Sequence, residues 1–230
     1  NYLSVDSALF AITVSRAAQS ALTVTSTSVT FGQTLALTNS GGSGTGAVTW
    51  EVSSGTCTSD GSTLTPGDAG SVCQVRVSKA QDGNFLAAQS SITTVNIARA
   101  SQAVLTVTST SVTYGQTLAL TTSGGTGTGA VTWVVVPSTG STCTIVGSTL
   151  TPGDAGSTCV VRATKTQDTN YLVRQSANTT LTVDKAAQTG FSISSAASFT
   201  TGASLALTTT GGQSSGSVSW SLQSGTCVLV

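Results

Sequence analysis

Apolar and polar residues alternate with a period of two along most of the chain. Three such segments contain Leu35 and Leu37, then Val48, Trp50 and Val52, and then Cys73, Val75 and Val77. Alternation of this kind gives a β-strand one buried and one solvent-facing side, and the helical period of 3.6 residues is found nowhere convincingly. About six or seven short strands per unit, separated by Gly-, Ser- and Asn-rich turns, predict an all-β chain of antiparallel β-sandwiches.

The sequence also repeats itself. Residues 17–50 return almost unchanged as residues 100–133, and residues 61–76 return as residues 147–162. A more diverged copy begins near Ala186. Self-similarity at a nearly constant spacing is typical of proteins built from tandem structural units.

These matches divide the chain into four segments. Residues 1–16 are predicted to be the C-terminal strand or strands of a preceding repeat, and residues 17–99 and 100–185 are predicted to be two complete repeats. Residues 186–230 match only the N-terminal part of a further, truncated repeat. The chain is therefore expected to be an excerpt from a longer array.

An ordered set of motifs recurs within each copy. A V-T-W strand is followed by a G-S-T-L-T-P-G-D-A-G hairpin, a strand of alternating aliphatic residues and a D-x-N-[FY] loop before the last strand. This order resembles the bacterial immunoglobulin-like repeats of large surface proteins and adhesins of the invasin and intimin type. The resemblance implies immunoglobulin-like sandwich modules arranged as an extended rod on a cell surface. Trp50 precedes both cysteines of its copy, so antibody-type strand pairing is not implied.

The five cysteines follow the same repeat. Cys57 and Cys73 recur with the same spacing as Cys143 and Cys159, and Cys227 occupies the first position of a third pair. We predict disulfides Cys57–Cys73 and Cys143–Cys159, with the partner of Cys227 outside the chain. Disulfides within a module indicate an oxidising, extracellular compartment. The alternative is two buried free thiols per copy; a zinc site is disfavoured because two thiolates do not complete a tetrahedral shell.

The three tryptophans occupy equivalent positions, at Trp50, Trp133 and Trp220. Each alternates with other residues on a predicted strand, and we therefore expect all three to belong to the core. The alternative is that they are exposed and stack on sugar rings. For the Thr-rich segment 23–30, a half-buried edge strand is favoured over an ice-binding row of hydroxyl groups.

Composition excludes several classes of function. The chain has 8 basic and 8 acidic residues, no histidine and only 7% charged residues. A nucleic-acid partner is not expected, because too few cations are present to neutralise a row of phosphates. No apolar run approaches the roughly 18 residues of a membrane span. Without histidine, an activated serine or recurring paired carboxylates, we expect no enzyme and no cofactor.

Two acidic motifs are candidate cation sites. Asp68 and Asp154 lie in T-P-G-D-A-G, where a turn stabilised by Pro, Gly and Asp is favoured. Asp82-x-Asn84 and Asp168-x-Asn170 are similar to fragments of calcium loops. Calcium takes six or more oxygen ligands, and one aspartate per loop is too few. No metal is therefore expected.

The junctions between copies contain no Gly, no Pro and no long polar tract. This limits bending and predicts a rigid stalk, spacer or fibre whose partners are neighbouring repeats of the same chain. Other copies of the chain in a fibre, or a host or cell-surface ligand, are further candidate partners. The alternative is that loops of the modules bind a glycan, another cell or a partner chain. The near-verbatim recurrence of the loops favours the structural role.

Overall fold

The computed structural model describes residues 1–139 and 141–230, and within them every regular element is a β-strand. Between residues 17 and 99 the strands are β1 (Thr23–Val24), β2 (Ser28–Thr30), β3 (Leu35–Ala36), β4 (Asn39–Ser40), β5 (Val48–Ser54), β6 (Thr58–Asp60), β7 (Thr63–Thr65), β8 (Val72–Lys79), β9 (Ala88–Gln89) and β10 (Thr93–Ala98).

The following strands repeat this series. Between residues 100 and 185 they are β11 (Leu105–Val107), β12 (Ser111–Thr113), β13 (Leu118–Ala119), β14 (Thr122–Gly124), β15 (Val131–Val135), β16 (Thr144–Val146), β17 (Thr149–Thr151), β18 (Thr158–Lys165), β19 (Arg174–Gln175) and β20 (Thr179–Asp184). Two further strands, β21 (Ser192–Ile193) and β22 (Thr209–Thr210), form a ribbon equivalent to β1–β4 and β11–β14.

Each complete series forms two sheets and one ribbon. In the first, the larger sheet has the order β2-β10-β8-β5 with β9 on β8, the smaller sheet has the order β3-β7-β6, and β1 pairs with β4. In the second, the corresponding orders are β12-β20-β18-β15 with β19 on β18, β13-β17-β16 and β11-β14. The predicted all-β class and tandem sandwich architecture are confirmed.

One pair of strands in each sandwich is parallel, whereas the sequence predicted antiparallel strands. The first strand is interrupted, so that β1 pairs antiparallel with β4 and β2 pairs parallel with β10. At the interruption Ser26 is buried, and its Oγ accepts a hydrogen bond from Thr38 N at 2.6 Å. Ser109 and Thr121 make the same contact at 3.0 Å. The serine satisfies the backbone where the strand leaves one sheet for the other.

The alternation found in the sequence places a separate core inside each sandwich. The fully buried side chains of the central strand β8 lie beside those of its neighbour β10 and form one core with Leu64 of β7 in the smaller sheet, and β18 repeats the arrangement. The largest fully buried side chains are Leu64, Val75, Val77 and Val95 in the first core and Leu105, Leu150, Val161 and Leu181 in the second.

The structure places the predicted cysteines and tryptophans as follows. Cys57 is bonded to Cys73 and Cys143 to Cys159, with Cα–Cα distances of 5.9 and 6.0 Å, and the Cys227 thiol is free and exposed. Each disulfide joins the residue before the smaller sheet's edge strand to the central strand of the larger sheet, so it links the two layers. Trp50 and Trp133 are half-buried and pack against the two cores, and Trp220 is half-buried in the diverged copy.

Candidate functional site

The strongest candidate site is the junction where the chain leaves one sandwich and enters the next. Strand β10 ends at Ala98, and two residues later Ala100 already pairs with Tyr171 of the second sandwich. Ala100 N donates to Asn170 O at 2.9 Å, and Leu172 N donates to Ala100 O at 2.9 Å. Arg99 is therefore the single residue between the last strand of the first sandwich and the paired backbone of the second.

A buried glutamine fixes the entering chain to its own sandwich. Gln102 is 4% exposed, and its Nε2 donates to Thr166 O at 3.1 Å and to Leu172 O at 2.8 Å. Gln19 makes the equivalent pair of hydrogen bonds in the first sandwich. This role accounts for the Ala-x-Gln sequence at the start of the first two sandwiches, whereas Gln188 of the third copy donates to Ser214 Oγ at 2.8 Å.

An aspartate shapes the loop that faces the junction. Asp168 Oδ1 accepts hydrogen bonds from Asn170 N at 2.9 Å and Tyr171 N at 2.8 Å, and Oδ2 accepts one from Thr128 N at 2.6 Å. Asp82 makes the equivalent contacts in the first sandwich. The carboxylates are thus occupied by backbone N–H groups, as in an Asx turn.

These hydrogen bonds lower the pKa of both carboxyl groups. The largest cause is the Thr128 N–H for Asp168 and the Asn84 N–H for Asp82. A group whose pKa is lower in the folded state contributes stability above its unfolded value, here 3.8, and that contribution is lost as the pH falls through the folded pKa. At neutral pH the ionised Asp82 and Asp168 therefore stabilise their loops by accepting backbone hydrogen bonds, and this stabilisation is lost only in acid.

Acid is expected to loosen the loop before it unfolds the core. Between about pH 5 and pH 2, the hydrogen-exchange protection factors of the Asn170 and Tyr171 amides should fall, because protonation weakens acceptance by Asp168. An Asp168→Asn variant should show lower protection at pH 5 and little further change on acidification. Asp82→Asn is the matched control, since it should affect only the first sandwich. Equal pH profiles for Asp168→Asn and the unmodified chain would contradict this account.

Asn170 projects from this loop onto the preceding sandwich. Its Oδ1 accepts a hydrogen bond from Ala69 N at 2.8 Å, and its Nδ2 donates to Asp68 Oδ1 at 3.0 Å. Ala69 is only 5% exposed. A carboxamide is the one uncharged side-chain group that offers a donor and an acceptor side by side, so Asn170 matches this turn in both respects.

An aromatic pair lies beside the asparagine. The rings of Phe31 and Tyr171 have centroids 5.6 Å apart and planes at 79°, an edge-to-face arrangement. Phe31 N donates to Ala98 O at 2.8 Å, and Gly70 N donates to Ile97 O at 2.9 Å. The ring and the Asp68 turn are therefore both attached to the end of β10, where the chain crosses to the next sandwich.

A shallow cleft of about 250 Å³ remains at the junction, lined by Asp68 and by the loop around Asp168. Within residues 1–139 and 141–230, no group of three or more Cys, Asp or Glu side chains is placed to hold a metal ion. Both aspartates already accept hydrogen bonds from the protein. Asp68 accepts from Asn170 across the junction, and Asp168 accepts from the backbone of its own loop.

The residues brought together here differ from the predicted site residues. The paired cysteines, Trp50 and Trp133 belong to the two cores and their margins. Asn170, Tyr171 and Phe31 were not singled out from the sequence as a contact. Asn170 and Tyr171 lie in the recurring D-x-N-[FY] motif and their partner turn in T-P-G-D-A-G, but each motif by itself predicts only a turn, and Phe31 lies in neither.

Together these features define the class of protein: an all-β chain of tandem β-sandwiches, antiparallel except for one strand pair in each, joined by short, hydrogen-bonded junctions. No protein-family model matches the sequence, and no curated protein matches it. Among solved structures, the chain is similar to a Drosophila N-cadherin crystal structure containing EC1-4, with a TM-score of 0.27 and 8% identity. The match covers 76% of this chain and 52% of that one, and at this TM-score it supports no functional statement.

Two further observations concern the environment of the protein. Its two disulfides are typical of proteins in an oxidising, extracellular compartment. Among the residues that the structure describes, none form a helix with the length and apolarity needed to cross a membrane.

Proposed function

We propose that this chain is a non-enzymatic structural part of a longer extracellular repeat protein, in which it acts as a rigid stalk, spacer or fibre on a cell surface, within an adhesin. The modules of this array are residues 17–99 and 100–185, flanked by parts of further repeats. The observation that carries the proposal is the junction. There the polypeptide itself, the hydrogen bonds of Asn170 and the Phe31–Tyr171 ring pair all connect one module to the next.

The connecting polypeptide itself favours stiffness. Between Ala98 and Gln102 there is no glycine or proline, and Ala100 is held by backbone hydrogen bonds on both sides. Arg99 Nε adds a hydrogen bond to Thr169 O at 3.1 Å. Gly-rich linkers behave as flexible coils, whereas a linker already fixed in the next module has few alternative conformations.

The side chains across the junction oppose bending. The two hydrogen bonds of Asn170 contribute about 1 kcal/mol each, and an edge-to-face aromatic pair contributes about 0.5–1.5 kcal/mol. Bending the junction breaks all three contacts, so the arrangement in which they form is favoured by about 2.5 to 3.5 kcal/mol. This is enough to make one relative orientation of the modules predominate.

The remaining composition suits a spacer. With 16 charged residues of 230, there is little charge for salt to screen, so the shape should depend weakly on ionic strength. The disulfide links the two layers of each module and resists their separation under load. Without histidine, the chain also lacks the most common general acid and base of enzymes.

Asn170→Ala is expected to release the junction while both modules remain folded. The Ala69 amide loses its acceptor, so its hydrogen exchange should become about tenfold faster, as expected for the loss of about 1.4 kcal/mol. Asn84→Ala is the matched control, because Asn84 is exposed in the equivalent loop of the first module and does not contact Ala69.

A second measurement tests stiffness directly. Residual dipolar couplings of the two modules should fit one common alignment tensor in the unmodified chain and two different tensors in an Asn170→Ala, Tyr171→Ala variant. Unequal alignment of the two modules in the unmodified chain would contradict the proposed rigid spacer, whatever the exchange rate at Ala69.

A further inference from the structure

The second module repeats, at its own C-terminal end, the turn and the aromatic residue that Asn170 and Tyr171 contact on the first module. Gly156 N donates to Val183 O at 2.8 Å, and Tyr114 N donates to Asp184 O at 2.8 Å. These bonds repeat the attachment of the Asp68 turn and Phe31 to the end of β10. The turn Pro152-Gly153-Asp154-Ala155-Gly156 and Tyr114 are therefore both attached by their backbone to the end of β20.

This receiving surface is more open than its counterpart. Tyr114 is 50% exposed, whereas Phe31 is half-buried against Tyr171. Ala155 is half-buried, whereas Ala69 is only 5% exposed beneath Asn170. Residues 186–230 contain neither aspartate nor asparagine, so they include no Asp-x-Asn loop that could cover the turn.

The turn has the conformation that receives an asparagine. Ser157 Oγ donates to Asp154 O, as Ser71 Oγ donates to Asp68 O. Since the backbone and the sequence T-P-G-D-A-G are the same, the Ala155 N–H and the Asp154 carboxylate offer the donor and acceptor pair that Asn170 uses at the first junction.

We infer that the Asp154–Ala155 turn and Tyr114 form a docking surface for an Asp-x-Asn-aromatic loop of another repeat of this kind. The asparagine amide of that loop bonds to Ala155 N and Asp154, and its aromatic ring lies edge-to-face with Tyr114. The inference rests on the proposed function, because it reuses the contact of the first junction. The partner is thus specified by two elements: an uncharged carboxamide and one aromatic ring.

The full chain can be given such a loop in a defined place. Cys227-Val228-Leu229-Val230 aligns with residues 143–146, so appending a copy of residues 147–185 after Val230 completes the third repeat. The appended segment supplies the second cysteine for Cys227 and an Asp-x-Asn-Tyr loop. Hydrogen exchange of the Ala155 amide is the readout, and the Ala69 amide is an internal reference in the same molecule.

In the chain without the extension, Ala155 is expected to exchange faster than Ala69. In the extended chain, Ala155 exchange should slow by about tenfold, toward the rate of Ala69. The matched control is the extended chain with alanine in place of the appended copy of Asn170, in which Ala155 should remain fast. Intact mass under non-reducing conditions shows whether Cys227 has formed its disulfide.

The remaining outcomes overturn the inference. Rapid exchange at Ala155 in an extended chain with oxidised Cys227 means that the loop does not dock, and a reduced Cys227 means that the loop-bearing segment does not complete a repeat at this surface. Equal protection of Ala155 and Ala69 before extension means that the surface is already covered. Loss of the Ala69 contact itself would instead refute the proposed function, so the two failures are distinguishable.

Discussion

Replacing both cysteines of the first pair by alanine should lower the free energy of unfolding of the first module by about 3 kcal/mol. The disulfide closes a loop of sequence separation 16 and thereby restricts the unfolded chain. In the folded module it joins the two layers, with Cys73 fully buried in β8. Urea unfolding followed by hydrogen exchange at Val75 measures the loss, because Val75 is fully buried beside Cys73.

The second module provides the matched control for this experiment. Val161 occupies the position of Val75, and its exchange should change little when Cys57 and Cys73 are replaced. Replacing Cys143 and Cys159 should reverse the pattern. Reduction of the unmodified chain should destabilise both modules together. If the first module of the Cys57→Ala, Cys73→Ala variant unfolds at the same urea concentration as before, the disulfides have no stabilising role.

The parts of the fold that could be predicted from the sequence are those set by local alternation. A strand packed in a two-layer sandwich has one buried face, so Cys73, Val75 and Val77 had to point the same way, and all three are fully buried. The same argument was weaker for β5. It is an edge strand that pairs only with β8, and its Val48 is 41% exposed.

Long-range partners could not be predicted in this way. The parallel pairing of β2 with β10 depends on the interruption of the first strand at Ser26. The apolar positions change phase there, from Leu22 and Val24 to Val29 and Phe31, but a change of phase does not identify the strand with which β2 pairs. Many Ser and Thr residues occur in the segment, so the one buried serine that accepts the backbone bond does not stand out.

The contacts across the junction could not be predicted from local sequence patterns either. Asn170 and Asp68 are 102 residues apart, and their contact depends on how one module is oriented on the other. The sequence shows each half of the contact as a turn with its own internal hydrogen bonds. Both interpretations as turns agree with the structure, yet neither indicates that the two turns meet.

Leu150→Ala should destabilise the second module by about 3 kcal/mol, within the range of 2–5 kcal/mol for buried leucines. Leu150 is fully buried in β17, the central strand of the smaller sheet, where it pairs with Leu118 on β13 and Ile145 on β16. Truncation leaves a cavity in the core between the two sheets, where Leu150 packs with Val161 and Leu181. The measurement is urea unfolding, with hydrogen exchange at Val161 reporting on the module that carries the change.

Two controls make this prediction a test of how independently the modules fold. Val146→Ala removes an 81% exposed side chain from the adjacent strand and should have almost no effect, and Leu64→Ala removes the equivalent buried leucine from the first module. Each core substitution should act on its own module, because the two cores share no residues. The junction couples them by only about 2.5 to 3.5 kcal/mol, so exchange at Val75 in Leu150→Ala should accelerate by no more than this free energy allows. Simultaneous unfolding of both modules would show instead that the junction is a continuous part of one cooperative unit.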